Sequence, residues 1–406
     1  MKALQVFRGR TIFEMVKGVD LTSEWDGEAP ELMVLPAANP ASFPKIMRRA
    51  GALPDAAWAR IRAGEGAVVF DAAGEGAPAE DDILEQIHRF LAAMGADPAR
   101  AAYITQDRGF ADDYARLRKA RGGGALLQVI HDDYWIRRLA AGYRRDGRRM
   151  FEDRLAAYRA RGAPRPRRFV SLNLTPRPSK LVFLLSLLRD GLWDRGFISF
   201  GGLDRQLAKG VTIEDFKDQL NHIGFGARVR GLAEHFRSLE RMGEVLLGDG
   251  SGSRTSDGVP KLSEDAQLPE YGLSWFSVVT ETEMRSRPSR ITEKPFKPIA
   301  NFHPFLVLGN PGALAMLRDF GFQTFGEVFG ESYDDEADPG RRFDRVYEQV
   351  RRLCEADEAE LQRIDRAVEA TVVGNAEHLM TRLPGRYRQA DRRLIEQLRR
   401  LGAGPG

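Results

Sequence analysis

Cations and carboxylates in the second half of the sequence stand directly after apolar segments. One group follows the run from Phe169 to Leu172, a second follows the run from Trp275 to Thr280, and a third is the triplet Thr292-Glu293-Lys294. Lysine and arginine form charge-assisted hydrogen bonds with phosphate oxygens. These loops therefore predict a binding site for a diphosphate. The predicted binding residues are Asn173, Arg177, Lys180, Glu281, Glu293 and Lys294.

The residues after Thr292 are predicted to begin a helix. A threonine can cap a helix, and the N–H groups and dipole of a helix N-terminus favour an anion. Pro295 suits the first turn, whereas Pro298 would cost about 3 kcal/mol in a helix interior. We therefore expect a helix that is kinked or begins late. A Glu-Lys pair at such a place can also be a pair of exposed charges with no binding role.

The elements that must position these loops are short apolar runs alternating with helical patterns. Ala67 to Phe70 and Ala101 to Thr105 have no apolar-polar alternation, as in strands buried on both faces, and Asp82 to Met94 has helical spacing. In the second half, an apolar helix is predicted from Lys180 to Leu188 and a strand from Phe197 to Phe200. Further buried strands are predicted at Trp275 to Thr280 and Pro304 to Leu308. This alternation predicts parallel sheets, whose ligands bind beyond the carboxyl ends of the strands.

The length of 406 residues exceeds the usual size of one domain. We predict an α/β protein of two Rossmann-like domains facing a cleft. The N-terminal α/β domain is expected over residues 1–150, on the acceptor side. The second α/β domain, which binds the nucleotide sugar, is expected over residues 165–335, with a helical C-terminal extension over residues 336–406.

Composition limits the compartment and the partners. The net charge of +3 is small beside 61 basic and 58 acidic residues, which argues against a general nucleic-acid binder. The single cysteine, Cys354, excludes an internal disulfide framework and fits a reducing compartment. No segment resembles a signal peptide or a membrane span. We expect a cytoplasmic protein that can meet the inner face of the membrane only by peripheral contact.

Residues 136–168 are densely basic and end in a Pro-Arg repeat. We interpret this segment as the connector between the two halves. Such a run is usually a solvated face, although it can also contact acidic phospholipid head groups or another polyanion.

The segments that carry the predicted diphosphate site resemble a known family. The stretch FSVVTETEMRSRPSRITEKPFKPIANFHPFLVLGNPG resembles the donor-binding segment of α-1,3-fucosyltransferases. In that family a strand ends in glutamate, Thr-Glu-Lys follows, and a strand with Pro and Gly closes the unit. RRFVSLNLTPRPSKL is similar to the same family's Phe-x-Ser-x-Asn segment with a downstream arginine. The resemblance spans roughly residues 165–330 and suggests a divergent bacterial branch.

The resemblance implies a glycosyltransferase of the GT-B type that is inverting, independent of metal ions and without a cofactor beyond its nucleotide-sugar substrate. Arg177 and Lys294 match the positions that hold the pyrophosphate, and Glu281 and Glu293 match those around the sugar and ribose. The family's Glu-Asn-Ser is here Glu281-Thr282-Glu283, and the spacing to Thr-Glu-Lys is longer. The sugar and the base of the donor, and the glycan, lipid-linked or protein acceptor, therefore stay open.

Sugar transfer also suits the residue types. The departing nucleoside diphosphate gains negative charge, which fixed cations can stabilise without reorganisation. Metal-dependent transferases normally use an Asp-x-Asp triplet, and the sequence contains none.

An inverting transfer needs a general base for the acceptor hydroxyl. Candidates in the first half are Asp71, Glu75, Asp107, His131, Asp132 and Asp133. We predict Glu75 as the catalytic base, because it lies between two glycines where the backbone can approach a substrate closely. The IHDDYW segment can instead be a helix cap with a core tryptophan.

Two other functions remain open at this point. One is a non-catalytic module that binds a nucleotide or a phosphorylated glycan in the same basic cleft. The other is nucleic-acid binding through residues 136–168, which would weaken steeply with salt.

Overall fold

The computed structural model describes residues 1–7, 9–37, 42–74, 78–162, 164–203, 212–222, 225, 231–248, 267–285 and 289–403. The fold is α/β, with a six-stranded parallel sheet, a five-stranded sheet and a long C-terminal helix. The chain divides into two compact units. The first comprises Met1–Arg144, Arg287–Arg290 and Arg382–Gly406, and the second comprises Arg145–Ser286 and Ile291–Thr381.

The sheet of the first unit has the strand order β2-β1-β3-β4-β5-β6, with every pair parallel. Its strands are β1 (Lys2–Gln5), β2 (Asp20–Thr22), β3 (Leu32–Pro36), β4 (Ala67–Asp71), β5 (Ala101–Thr105) and β6 (Gln128–His131). Strands β3, β4 and β5 are buried along their whole length, because apolar side chains cover both faces. The predictions for β4 and β5 are thus confirmed.

The helices of the first unit before Arg144 cover this sheet. They are α1 (Phe43–Gly51), α2 (Ala59–Arg62), α3 (Asp81–Ala93), α4 (Phe110–Ala120) and α5 (Tyr134–Gly142). Ile46 of α1 and Ile87 of α3 share one core with Val68 and Phe70 of β4. The predicted helix from Asp82 is therefore confirmed as α3, which begins one residue earlier.

The sheet of the second unit has the strand order β11-β10-β7-β8-β9. Its strands are β7 (Phe169–Asn173), β8 (Gly196–Gly201), β9 (Glu244–Val245), β10 (Phe276–Thr280) and β11 (Phe305–Leu308). All neighbours are parallel except β8 and β9. From β7 the chain passes to β8 on one side and later to β10 on the other. The carboxyl ends of β7 and β10 therefore form a topological switch point, where α/β sheets bind ligands.

The second unit contains ten described helices. They are α6 (Gly147–Ala160), α7 (Pro178–Arg189), α8 (Ile213–His222), α9 (Phe236–Met242), α10 (Pro269–Gly272), α11 (Phe296–Ala300), α12 (Ala313–Asp319), α13 (Gly326–Phe329), α14 (Pro339–Glu355) and α15 (Glu358–Glu377). Helix α7 is buried from Ser179 to Leu187, as its apolar sequence predicts. Helix α11 does begin late, and Pro298 is tolerated because it lies within the first turn.

The C-terminal segment expected over residues 336–406 divides between the two units. Helices α14 and α15 belong to the second unit, whereas α16 (Leu383–Ala403) belongs to the first. Leu394 and Leu398 of α16 share a core with Val34 and Val69 of the first sheet. This apolar face assigns α16 to the first unit. Among the described residues, no helix is both long and apolar enough to span a bilayer.

Candidate functional site

A cleft of about 450 Å³ opens at the switch point of the second unit. Its walls come from the amino end of α7, from α8 and from the loop after β10. They include Arg177, Ser179, Asp218, His222, Thr282 and Arg285. The loops that the sequence predicted after β7 and β10 therefore do meet at one cleft.

Glu281 links the loop that contains Thr292-Glu293-Lys294 to the end of β10. Its Oε2 accepts a hydrogen bond from Thr292 Oγ1 at 2.6 Å, and its Oε1 accepts one from Thr292 N at 3.4 Å. Gly309 lies so close that a Cβ there would be 3.1 Å from Glu281 Cγ, so a side chain at 309 would crowd the carboxylate. Thr292 was expected to cap a helix, but α11 begins after Pro295 and no side chain caps it. The Thr292 hydroxyl donates its hydrogen bond to Glu281 instead.

Two hydroxyl groups hold the Lys294 ammonium close to the Glu281 carboxylate. The Nζ of Lys294 donates to Thr282 Oγ1 and to Thr292 Oγ1, at 3.0 Å each. The same Nζ lies 3.6 Å from Glu281 Oε2 and 3.4 Å from Glu293 Oε1. Because Thr282 lines the cleft, these contacts fix the Lys294 ammonium beside it.

Glu293 is fully ionised in this setting. Burial opposes its ionisation, but the charges of Lys294 and then Lys297 outweigh burial and lower the pKa of Glu293 to about 2. The Thr-Glu-Lys triplet is therefore an ion cluster and not a pair of isolated surface charges.

Lys180 is the most unusual cation of the site. It is only 5% exposed, and its ammonium has no hydrogen bond or ion pair with any residue in the described part of the chain. Burial, and after it the charge of Lys294, lowers the pKa of Lys180 to about 7. A buried charge without a partner is costly, so an anion placed here would be strongly stabilised.

Arg177 stands at the N-cap of α7 and is exposed at the cleft. Its side chain does not cap the helix, and the first backbone hydrogen bond of α7 is Leu181 N to Arg177 O at 2.9 Å. The amides of Ser179 and Lys180 precede that bond and have no partner within the helix. The amino end of α7 thus adds donors and dipole to the cations already there.

Asn173 supports the strand ends and does not line the cleft. Its Nδ2 donates to Ser171 Oγ at 3.0 Å, and its Oδ1 accepts from Thr280 Oγ1 at 2.6 Å. The amide therefore links β7 to β10 inside the sheet. In the described structure Asn173 therefore has a positioning role, and its contact with the donor stays a prediction.

Arg342 of α14 is a supporting residue that the sequence did not reveal. It is 2% exposed, its Nε donates to Gly309 O at 2.8 Å, and its Nη2 donates to Arg285 O at 3.2 Å. One buried guanidinium thus holds the loops that follow β10 and β11. Arg342 lies on the apolar face of α14, four and eight residues before Val346 and Val350, so helical spacing could have predicted its burial but not its partners.

The predicted catalytic base, Glu75, lies outside the described residues. Among the other candidates, Asp71 is fully buried, and its carboxylate accepts from Ile12 N at 2.7 Å and Ala73 N at 3.1 Å. Burial raises the pKa of Asp71 to about 7. Asp107 is also buried, and its Oδ1 accepts from Gly109 N at 3.1 Å. Both carboxyl groups are engaged by the backbone.

The IHDDYW segment forms the end of β6 and the start of α5, with Asp133 at the N-cap position, but the Asp133 side chain makes no capping hydrogen bond. The fully buried aromatic residue is Tyr134, while Trp135 is partly buried. Asp132 is buried in an ion pair with Arg137, and His131 is exposed.

Asp133 differs from these neighbours. It is partly buried, and its carboxyl group has no hydrogen bond or ion pair with the residues that the structure describes. Burial, and then the charge of Asp132, raises the pKa of Asp133 to about 7.

No group of three or more His, Cys, Asp or Glu side chains in the described ranges is arranged to hold a metal ion. No protein-family profile matches this sequence, and a search of curated proteins finds no significant match.

Proposed function

We propose that this protein is a glycosyltransferase that moves a sugar from a nucleotide-sugar donor to a hydroxyl group of a glycan, lipid-linked saccharide or protein. The observation that carries the proposal is the buried Lys180, which has no described partner and directly follows Ser179 in the wall of a cleft that Arg177 also lines. Lys294 reaches the same cleft through its hydrogen bond to the lining residue Thr282. These cations converge at the switch point of a parallel sheet, where an anionic ligand would complete the site.

The charges favour a diphosphate as that anion. The volume of about 450 Å³ falls within the range of small-molecule sites, roughly 300–1,000 Å³. Each charge-assisted hydrogen bond contributes about 1.5–3 kcal/mol. In the transfer step, the acceptor oxygen forms a bond to the anomeric carbon while the bond to the phosphate oxygen breaks. The electron pair of the broken bond leaves with the nucleoside diphosphate, and Arg177, Lys180 and Lys294 stabilise the negative charge of this leaving group.

The acceptor hydroxyl must lose its proton in the same step. The sequence predicts Glu75 for this role, and that residue lies outside the described part of the chain. Glu75→Gln should lower kcat by roughly 10²–10⁴-fold and leave donor binding intact. A variant with an unchanged kcat would exclude Glu75 as the base.

The resemblance to α-1,3-fucosyltransferases supports the same function. By that likeness, each α/β unit is a Rossmann-like domain of the GT-B type, and transfer is inverting and independent of metal ions. Arg177 and Lys294 have the positions that the likeness assigns to the pyrophosphate. Glu281 and Glu293 would act near the sugar and ribose through the loop that they stabilise.

The test is release of nucleotide from GDP-, UDP-, CDP- and CMP-sugars in the presence of mixed acceptors, with and without EDTA. We expect turnover with one nucleotide class and no loss on addition of EDTA. Tight binding of a nucleotide without any turnover would favour a non-catalytic binding module. Neither binding nor turnover with any of these donors would refute the proposal.

A further inference from the structure

The second unit has another cleft, at the opposite edge of its sheet. This cleft measures about 360 Å³ and is bordered by α6, by α10 and by the turn after α11. Helix α10 and that turn lead into β10 and β11, whereas the diphosphate cleft follows the ends of β7 and β10. The two clefts share no lining residue.

Basic side chains line this second cleft. They are Arg154 of α6 and Arg161, which directly follows α6, and no carboxylate is among the described lining residues. Behind the wall, Asp365 accepts from Arg161 Nη2 at 3.0 Å and from Arg165 Nη2 at 2.7 Å. One carboxylate is thus shared by two guanidinium groups and does not neutralise both, while Arg154 has contacts of its own, among them a hydrogen bond to Ala300 O at 3.4 Å. Part of the basic segment expected as a solvated connector therefore forms the wall of a cleft.

Aromatic rings hold Arg161 in place. The guanidinium carbon of Arg161 lies 3.6 Å from the centroid of the Tyr158 ring, and Tyr158 stacks on Phe302 with centroids 5.1 Å apart. Phe302 has a φ of 54°, a left-handed conformation that is strained for a bulky residue. Such strain persists only where the surroundings enforce it, and it is found most often at functional sites.

The Tyr271 hydroxyl is a polar group open to this cleft. Tyr271 lines the cleft and is 5% exposed, and its hydroxyl has no hydrogen-bond partner in the described part of the chain. The oxygen is not one of the buried atoms left without a partner, so it faces the cleft, where a ligand can accept its hydrogen bond. Burial, and then Glu270, raises the pKa of Tyr271, so the hydroxyl stays protonated and can donate.

We propose that this cleft binds an anionic sugar, through a phosphate or carboxylate group held by Arg154 and Arg161. Arginine matches the planar, bidentate geometry of both anions. The Tyr271 hydroxyl and the Asn301 amide can hydrogen-bond the anion or the sugar hydroxyls, and the volume suits a single sugar residue. The proposal does not depend on the transfer activity, because a different set of residues forms this cleft.

The test is isothermal titration with glucose 6-phosphate, glucuronate and neutral glucose as probes. The variants are Tyr271→Phe, which removes one unpartnered hydroxyl, and Arg154→Met. Arg159→Met is the matched control, since Arg159 is exposed on the same helix and does not line the cleft. We expect at least one anionic probe to bind, with glucose bound at least tenfold more weakly.

Arg154→Met should weaken binding of that probe roughly ten- to hundredfold, and Tyr271→Phe should weaken it about two- to tenfold. The control should bind as the parent does. A preference for glucose 6-phosphate or for glucuronate identifies the anion as phosphate or carboxylate. Equal binding by the parent and both cleft variants, equal binding of glucose, or no binding of either anion would overturn the proposal. Circular dichroism of each variant separates loss of binding from loss of fold.

Discussion

Two buried cations, one in each unit, have opposite surroundings. Arg137 of the first unit is fully buried, and its guanidinium bonds Asp132 through Nε at 2.8 Å and pairs with Asp391 of α16. Lys180 of the second unit is almost as buried and has no such partner among the described residues. Burial alone would lower the pKa of Arg137, but Asp132 and Asp391 raise it, whereas the pKa of Lys180 falls to about 7. The comparison agrees with a stabilising role for Arg137 and with the anion-binding role that we propose for Lys180.

The largest expected effect is the loss of the structural cation. Arg137→Met should lower the free energy of unfolding by about 3–5 kcal/mol, because it leaves buried carboxylates uncompensated. Urea denaturation monitored by circular dichroism measures this change. Arg138→Met, at an exposed neighbouring position, should change stability by less than about 0.5 kcal/mol. Equal losses in the free energy of unfolding for Arg137→Met and Arg138→Met would contradict the structural role of Arg137.

The second expected effect is a pH dependence of nucleotide binding. Lys180 is charged below about pH 7 and loses its proton above it, while a bound diphosphate would hold the proton in place. Affinity of the parent should therefore fall by up to about tenfold per pH unit between pH 7 and pH 9. Lys294, Lys297, Glu281 and Glu293 surround Lys180 in both the parent and a Lys180→Met variant, so their contribution cancels in the comparison.

Titration calorimetry at several pH values, with a nucleoside diphosphate that binds the parent, measures this effect. Titration of the nucleotide itself also cancels between the two proteins. The same slope of affinity against pH in the parent and in Lys180→Met would show that Lys180 does not take part.

The smallest expected effect is a gain in stability on removal of the unpartnered cation. Lys180→Met should raise the free energy of unfolding by about 1 kcal/mol at pH 7, because it removes a desolvated charge from an apolar helix. The folded-state pKa of Lys180 lies below its unfolded value, so the unfolded chain binds more protons between about pH 7 and pH 10.5. Stability of the parent therefore rises with pH in that window, and the advantage of the variant shrinks.

Urea denaturation at pH 6 and pH 9 checks the sign, with Lys119→Met as an exposed control. A destabilised Lys180→Met would mean that the ammonium has a stabilising structural role.

The sequence predicted β4 and β5 of the first sheet and β7, β8, β10 and β11 of the second, because their apolar runs are continuous. It also placed Arg177, Lys180 and Lys294 near one another, since polar loops after parallel strands meet at the same edge. Strands β1, β2, β6 and β9 were missed because they are short or partly exposed. Strand β3 was also missed, although its continuous apolar run LMVLP is typical of a buried strand.

Other features depend on contacts that are distant in the sequence. The sequence predicted that Lys180 lies near the site, but only the packed structure shows that its ammonium has no partner among the described residues. Arg342 lies 33 residues from the carbonyl of Gly309 that it binds, and its helix gives no local sign of this contact. The local sequence likewise predicts that the Thr292 hydroxyl caps a helix. In the fold it donates to Glu281 instead.

The most direct test of the central claim is calorimetric titration of the parent and of Lys180→Met with GDP, UDP and CDP in the presence of EDTA. The account predicts that the parent binds one of these nucleotides and that the variant, while folded, binds it roughly ten- to hundredfold more weakly. Equal affinities in the two proteins, or no binding of any of the three to the parent, would contradict it.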